Sequence, residues 1–138
     1  MHRERNFSVY VLDTNTLIYF FKGIGGVADR LLATPPSEVA VPAIVVYEIE
    51  LGIAKSSNPG RRRQQLDQLL SAITILPFGR SEARVAARVR ARLEAAGTPI
   101  GPLDTLIACN ALALNGVLVT HNTAEFSRVE QLALEDWY

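Results

Sequence analysis

The sequence holds one cysteine, Cys109, only two histidines and a single tryptophan. A lone thiol excludes an intrachain disulfide framework and any multi-cysteine zinc site. No histidine pair has the spacing of a zinc-binding helix, and no glycine-rich phosphate loop is present. Nowhere does the chain approach the roughly 18 consecutive apolar residues of a membrane helix. Met1–Asn6 is polar and lacks the apolar core of a secretory signal, so a reducing, cytoplasmic setting without membrane attachment is expected. Net charge is missing too: fourteen basic residues balance fourteen acidic ones. That balance argues against indiscriminate clinging to nucleic acid but leaves room for a local basic patch.

What is present suits one folded domain. The 138 residues are 49% hydrophobic and 20% charged, enough for a real core. With no repeat or linker, the expectation is a single domain over 1–138, in which 1–7 is a polar extension. Ser8 to Leu12 reads as a strand buried on both faces. Helical patterns follow at Thr16–Lys22 and Val27–Leu32, separated by Gly23, Gly25 and Gly26. Glu38–Val41 predicts a strand, Pro42–Lys55 a helix, and Ser56–Gly60 a loop. Then come a helix over Arg61–Ile73, a strand at Thr74–Leu76 and an arginine-rich helix over Ser81–Ala96. Pro102–Leu114 is apolar almost all round, which predicts a buried helix capped by Asn115-Gly116. Val117–Thr120 is a strand, His121–Phe126 a loop or short helix, and Leu132–Leu134 an edge strand. Strands alternating with helices give parallel β-α-β units with helices on both faces. The expected class is therefore α/β, a three-layer α/β/α sandwich around a mainly parallel sheet of four or five strands.

Three acids stand where composition alone would not put them. Asp13 ends the apolar run Val9-Tyr10-Val11-Leu12, at the carboxyl end of a strand, where open α/β sheets gather their ligands. A plainer role is the N-cap of the next helix. At about 100° per residue, Val41, Ile44, Val45, Ile49, Leu51 and Ile53 form an apolar arc that contains Glu48, while Glu50 points to the polar side. A carboxylate in such an arc needs a metal, an arginine or a proton. A salt-bridged glutamate at the arc's edge is the simpler account. Asp104 is the third residue of the helix that Pro102 starts, and first-turn acids offset the helix dipole by about 0.3–1 kcal/mol. Taken together, carboxylates from three elements, with no histidine or cysteine beside them, select hard cations such as Mg²⁺ or Mn²⁺. Such an ion suits phosphodiester hydrolysis, because it activates water and neutralises charge on the leaving oxygen.

Leu12-Asp13-Thr14-Asn15, Tyr47-Glu48-Ile49-Glu50-Leu51-Gly52, Leu103-Asp104-Thr105-Leu106-Ile107-Ala108, Val119-Thr120-His121-Asn122 and the closing Glu135-Asp136-Trp137 occur in the order and spacing of PIN domains. The chain resembles the VapC toxins of bacterial toxin–antitoxin pairs over about Val9 to Trp137. That resemblance implies a Mg²⁺-dependent ribonuclease with Asp13, Glu48 and Asp104 as its main acids. It matches Thr14 and Asn15 to residues that support the first acid, and Thr120 to a hydroxyl that closes the site. It further implies a homodimer, a VapB-like antitoxin whose C-terminal segment blocks the acidic pocket, a higher toxin–antitoxin complex, and structured RNA, tRNA above all, as substrate. Many members of the family carry a fourth acid where this chain has Asn122. Asn122 orienting a water or a phosphate, and Glu125 supplying the charge through water, both stay open, as does one ion against two.

Basic residues offer RNA contacts. Two lysines, Lys22 and Lys55, leave twelve arginines among the fourteen cations. Arg80, Arg84, Arg88 and Arg92 recur every four residues and form one helical stripe, either a solvated face or a phosphate-binding one. Arg61-Arg62-Arg63 opens another helix, unfavourably for its dipole, and reads as a contact for RNA or a partner. His121 is a loop or RNA-contact residue beside the acids, and Cys109 belongs to the core. Phe20 and Phe21 before the glycines suggest a mobile, partly apolar hairpin, packed in the core or forming a groove for a partner helix. Two rival readings stand beside the nuclease. A phosphoryl-transfer enzyme of the haloacid dehalogenase type wants a second aspartate where this chain has Asn15. A catalytically weak PIN module, binding RNA or an antitoxin as a regulator, is the other.

Overall fold

The computed structural model describes residues 8–138; the polar extension expected at 1–7 lies outside the described residues. Five strands, β1 (Tyr10–Leu12), β2 (Val39–Pro42), β3 (Thr74–Leu76), β4 (Val117–Val119) and β5 (Ala133–Glu135), form one sheet in the order β3-β2-β1-β4-β5. Every pairing is parallel. The sheet is thus wholly parallel and five-stranded, at the upper end of the expected range. Seven helices complete the three-layer α/β/α arrangement: α1 (Thr14–Lys22), α2 (Val27–Leu32), α3 (Ala43–Lys55), α4 (Gly60–Leu70), α5 (Arg80–Ala95), α6 (Pro102–Ala113) and α7 (Thr123–Phe126). A short 3₁₀ turn at Pro36–Glu38, which the sequence pattern did not suggest, leads into β2.

The chain first winds outward, β1 to β2 to β3. It then returns through α5 and α6 to place β4 on the other side of β1. The direction of winding reverses between β1 and β4, and a crevice opens outside their carboxyl ends at such a point. Asp13 follows β1 and Thr120 follows β4, so both stand at its floor.

Central strands and the helices over them supply the core. Val11, Leu12, Val41, Leu118 and Val119 on the sheet are fully buried, as are Leu17, Val45, Leu66 and Ile107 on the helices. Each such side chain contributes about 1.5–3 kcal/mol relative to exposure. Gly116 lets β4 start flush against β1: a Cβ there would sit 2.8 Å from the Val9 carbonyl oxygen and 2.6 Å from Leu114 Cδ1. Among the described residues no helix is long and apolar enough to cross a membrane.

Several expectations shift. α1 begins at Thr14, two residues earlier than its apolar period indicates, because Asp13 Oδ1 takes the Thr16 N–H at 2.9 Å and caps the helix. The buried arc of α3 is narrower than its composition suggests. Val45, Ile49 and Ile53 are buried, whereas Leu51 is 41% exposed. The glycine hairpin is held rather than loose. Gly23 takes φ +67°, and Ile24 N–H closes the helix end onto the Tyr19 carbonyl at 3.0 Å. Gly25 and Gly26 lie against the backbone of Tyr138, whose carbonyl accepts the Gly26 N–H.

Candidate active site

Four elements deliver acids to the crevice. Asp13 is 5% exposed at the start of α1, and its helix-capping role is real, since one oxygen holds the Thr16 N–H. It also faces the hydroxyl of fully buried Thr120. Burial pushes the Asp13 carboxyl above the usual range; the hydrogen bonds from Thr120 and Thr16 oppose that rise, and nearby Asp136 adds to it. Cap and site residue are therefore compatible, because the two roles use different directions around one carboxylate.

Glu48, half-buried on α3, accepts a 2.6 Å hydrogen bond from Thr14 Oγ1. The Thr14 hydroxyl thus reaches Glu48, 34 positions away, and not Asp13 beside it. Asn15 is exposed and makes no side-chain hydrogen bond among the described residues, so it does not brace Asp13 either. That role falls to Thr16, which bonds both Asp13 and the Val119 carbonyl. The only signal for it in the sequence was Asp13 itself, because an N-cap aspartate takes the backbone N–H two or three residues on whatever side chain that residue carries.

Asp104, in the first turn of α6, curls back over Gly101; a Cβ at that glycine would lie 3.2 Å from its Oδ2. Its pKa is pushed up to about 6, first by burial, then by the negative charges of Glu125, Glu48 and Asp13, with a hydrogen bond to Glu125 adding to the effect. Glu125 is therefore the fourth acid in the crevice. Asn122 donates from Nδ2 to Glu125 Oε2 at 2.8 Å, and the Gly101 N–H reaches Glu125 Oε1 at 3.2 Å. Of the two residues left open by the sequence, Glu125 stands beside Asp104 and Asn122 hydrogen-bonds its carboxylate. Asn122 N–H in turn donates to Thr120 Oγ1 at 3.0 Å, which links α7 back to Asp13.

None of these four carboxylates takes part in an ion pair among the described residues. Nor do any three His, Cys, Asp or Glu side chains there close into a ready-made metal cluster. Carboxylates whose charges act on one another, with no cation of the described residues ion-paired to them, are an all-oxygen donor set of the kind hard divalent ions take. The residues fit such an ion.

Outside the crevice the expected contacts divide. His121 borders it, with Nδ1 2.9 Å from Asp136 Oδ2. Arg80, Arg84, Arg88 and Arg92 lie exposed along α5, unpaired among the described residues, and no recorded contact brings them to the acids. Arg63 is already engaged, forked onto Glu50 at 2.6 and 2.7 Å, and Arg62 lies 4.9 Å over the Phe21 ring and bonds Gln65. Phe21 is buried, but Phe20 and Phe21 also line a 360 Å³ groove with Gln65, Gln68, Leu69 and Ala72. A second groove of 220 Å³, lined by Ile18, Lys22, Ile49 and Ile53, has Glu48 in its wall.

Comparison with known proteins agrees with this architecture. The PIN domain family model matches residues 10–132. "Ribonuclease VapC2" of Rickettsia felis is 35% identical over 94% of this chain and 98% of its own length. "tRNA(fMet)-specific endonuclease VapC" of Shigella flexneri is 30% identical over 93% and 97%. The solved structure of DNA-bound VapBC from Salmonella typhimurium superposes with a TM-score of 0.88 at 31% identity, covering 95% of this chain and 99% of that one. With its parallel sheet, its crevice between β1 and β4 and these relatives along nearly its full length, the chain belongs to the PIN-domain family, among the VapC ribonucleases.

Proposed function

We propose that this chain is a Mg²⁺-dependent endoribonuclease, with Mn²⁺ as an alternative ion, and the toxin half of a toxin–antitoxin pair. It acts as one domain over 1–138, in the cytoplasm, on structured RNA and above all tRNA. The observation that carries this reading is the crevice itself: Asp13, Glu48, Asp104 and Glu125 from four elements, none in an ion pair among the described residues. The relatives named as a ribonuclease and a tRNA endonuclease support it.

When bound by these carboxylates, the ion supplies an activated water and charge neutralisation at the phosphodiester. The chain's part is orientation. Thr120 and Thr16 hold Asp13 in one direction, Thr14 fixes Glu48, and Asn122 with the Gly101 N–H fixes Glu125 beside Asp104. Burial of Asp13 keeps competing water from its carboxylate. Cleavage leaves 5′-phosphate and 3′-hydroxyl ends. Arg80, Arg84, Arg88 and Arg92 offer phosphate contacts beyond the crevice. A VapB-like antitoxin fits the apolar grooves, since a segment lying in the one walled by Glu48 would reach the acids. The family's homodimer and larger toxin–antitoxin assembly are expected here as well. A catalytically weak regulator finds less support, because its basis was Asn122 and Glu125 stands beside Asp104.

Purified protein should cleave total RNA with Mg²⁺ and stop in excess EDTA or as Asp13→Asn. Activity that survives EDTA, or products ending in 2′,3′-cyclic phosphate, would refute the metal mechanism.

A further inference from the structure

A group of rings beside the crevice is left unused by the acids. His121 directly follows Thr120, the residue that holds Asp13, and its partner Asp136 lies within electrostatic reach of Asp13. The imidazole stacks on Tyr138 with centroids 4.1 Å apart and planes inclined by 19°. Tyr19 stands nearly perpendicular to both rings, 6.0 Å from His121 and 5.1 Å from Tyr138. Asp136 binds the pair together, with Oδ2 on His121 Nδ1 and Oδ1 accepting the Tyr138 N–H, each at 2.9 Å.

These contacts fix the imidazole in plane and in rotation before any ligand arrives. They do not bury it. The His121 side chain is 46% exposed and Tyr138 49%. Tyr138 covers one face of the imidazole and Asp136 takes its Nδ1 edge, so the surface left to solvent is the opposite face and the Nε2 edge. A preset aromatic face in water, one residue from the floor of an RNA-cutting crevice, has the chemistry of a base platform. Unpaired RNA bases stack on aromatic and histidine rings, and every base offers a π face whatever its identity.

We propose that His121 and Tyr138, buttressed by Tyr19, form a stacking shelf for one unpaired nucleobase next to the phosphodiester that is cut. The shelf favours loops and single strands, because a base within a duplex is already stacked. This inference rests on the ribonuclease reading.

Binding in EDTA, followed by fluorescence anisotropy on the full chain, separates bases from backbone. The probes are a labelled single-stranded RNA of mixed sequence and an equally long ribose-phosphate oligomer without bases. Wild type should prefer the RNA. His121→Ala should weaken RNA binding roughly tenfold and leave the base-free oligomer unchanged. His121→Phe and Tyr138→Phe, which keep a ring, should retain the preference. Equal weakening of both probes by His121→Ala, no change in either, or loss in His121→Phe as large as in His121→Ala would overturn the shelf. A parallel Mg²⁺ cleavage assay distinguishes the two levels. If wild type hydrolyses RNA while His121→Ala keeps the full preference, the shelf alone fails; if wild type hydrolyses no RNA, the ribonuclease reading fails and the shelf with it.

Discussion

Asp104→Asn should make the metal-free protein more stable above pH 6 while ending RNA cleavage. Asp104 titrates near 3.8 when unperturbed and at about 6 in the fold. Between those values the native state holds the proton that the unfolded chain releases, so stability falls as pH rises through that window and stays low above it. The full difference corresponds to about 3 kcal/mol at roughly 1.36 kcal/mol per pH unit. Asp104 is half-buried, and solvent screening reduces that to about 1–2 kcal/mol. Asparagine keeps the shape and removes the charge. Thermal melts in EDTA at pH 7.5 should therefore place the variant about 3–7 °C above wild type. At pH 3, below both values, the proton is bound in the folded and unfolded chains alike and the two should nearly coincide. Millimolar Mg²⁺ should raise the wild-type midpoint and leave the variant behind, since an ion that binds only the folded state stabilises it by mass action. A variant that melts at or below wild type at pH 7.5 would refute the picture of mutually repelling carboxylates.

Three further outcomes follow from the same geometry. Glu125→Gln removes the largest like charge acting on Asp104, so carboxyl ¹³C NMR titration of the metal-free protein should show Asp104 moving down toward its ordinary value, with cleavage reduced at least about tenfold. Gly116→Ala forces a methyl against the Val9 carbonyl and Leu114 and should cost about 1–3 kcal/mol in urea unfolding, with no direct effect on the acids. Arg63→Ala breaks an exposed fork to Glu50 and should leave both the urea unfolding midpoint and cleavage nearly unchanged, as unfolding and activity assays on one preparation would show.

Local signals made much of the molecule legible in its sequence. Among the described residues, periodicity, proline and glycine placed the five strands and six of the seven helices within a few residues, because burial in a β-α-β unit demands those patterns; the seventh, at Thr123–Phe126, stood open as a loop or short helix. Asp13, Glu48 and Asp104 stood out because each broke a pattern, at a strand end, on an apolar arc or in a buried helix. Those are properties of single elements, and they survive without knowledge of neighbours.

What the tertiary structure decided lies between elements. Thr14 is adjacent to Asp13 in sequence, yet its hydroxyl meets Glu48 because α1 lies against α3. Arg63 looks free until the packing of α4 beside α3 delivers it to Glu50. Asn122 and Glu125 share one short turn of chain, and only the way α7 meets the start of α6 turns the glutamate toward Asp104 and leaves the asparagine to hold it. Sequence by itself determined which carboxylates were out of place and which strand ends carried them. The burial that chiefly raises Asp104, and the neighbouring negative charges that add to it and suit the crevice to a cation, exist only once four separate elements are packed together.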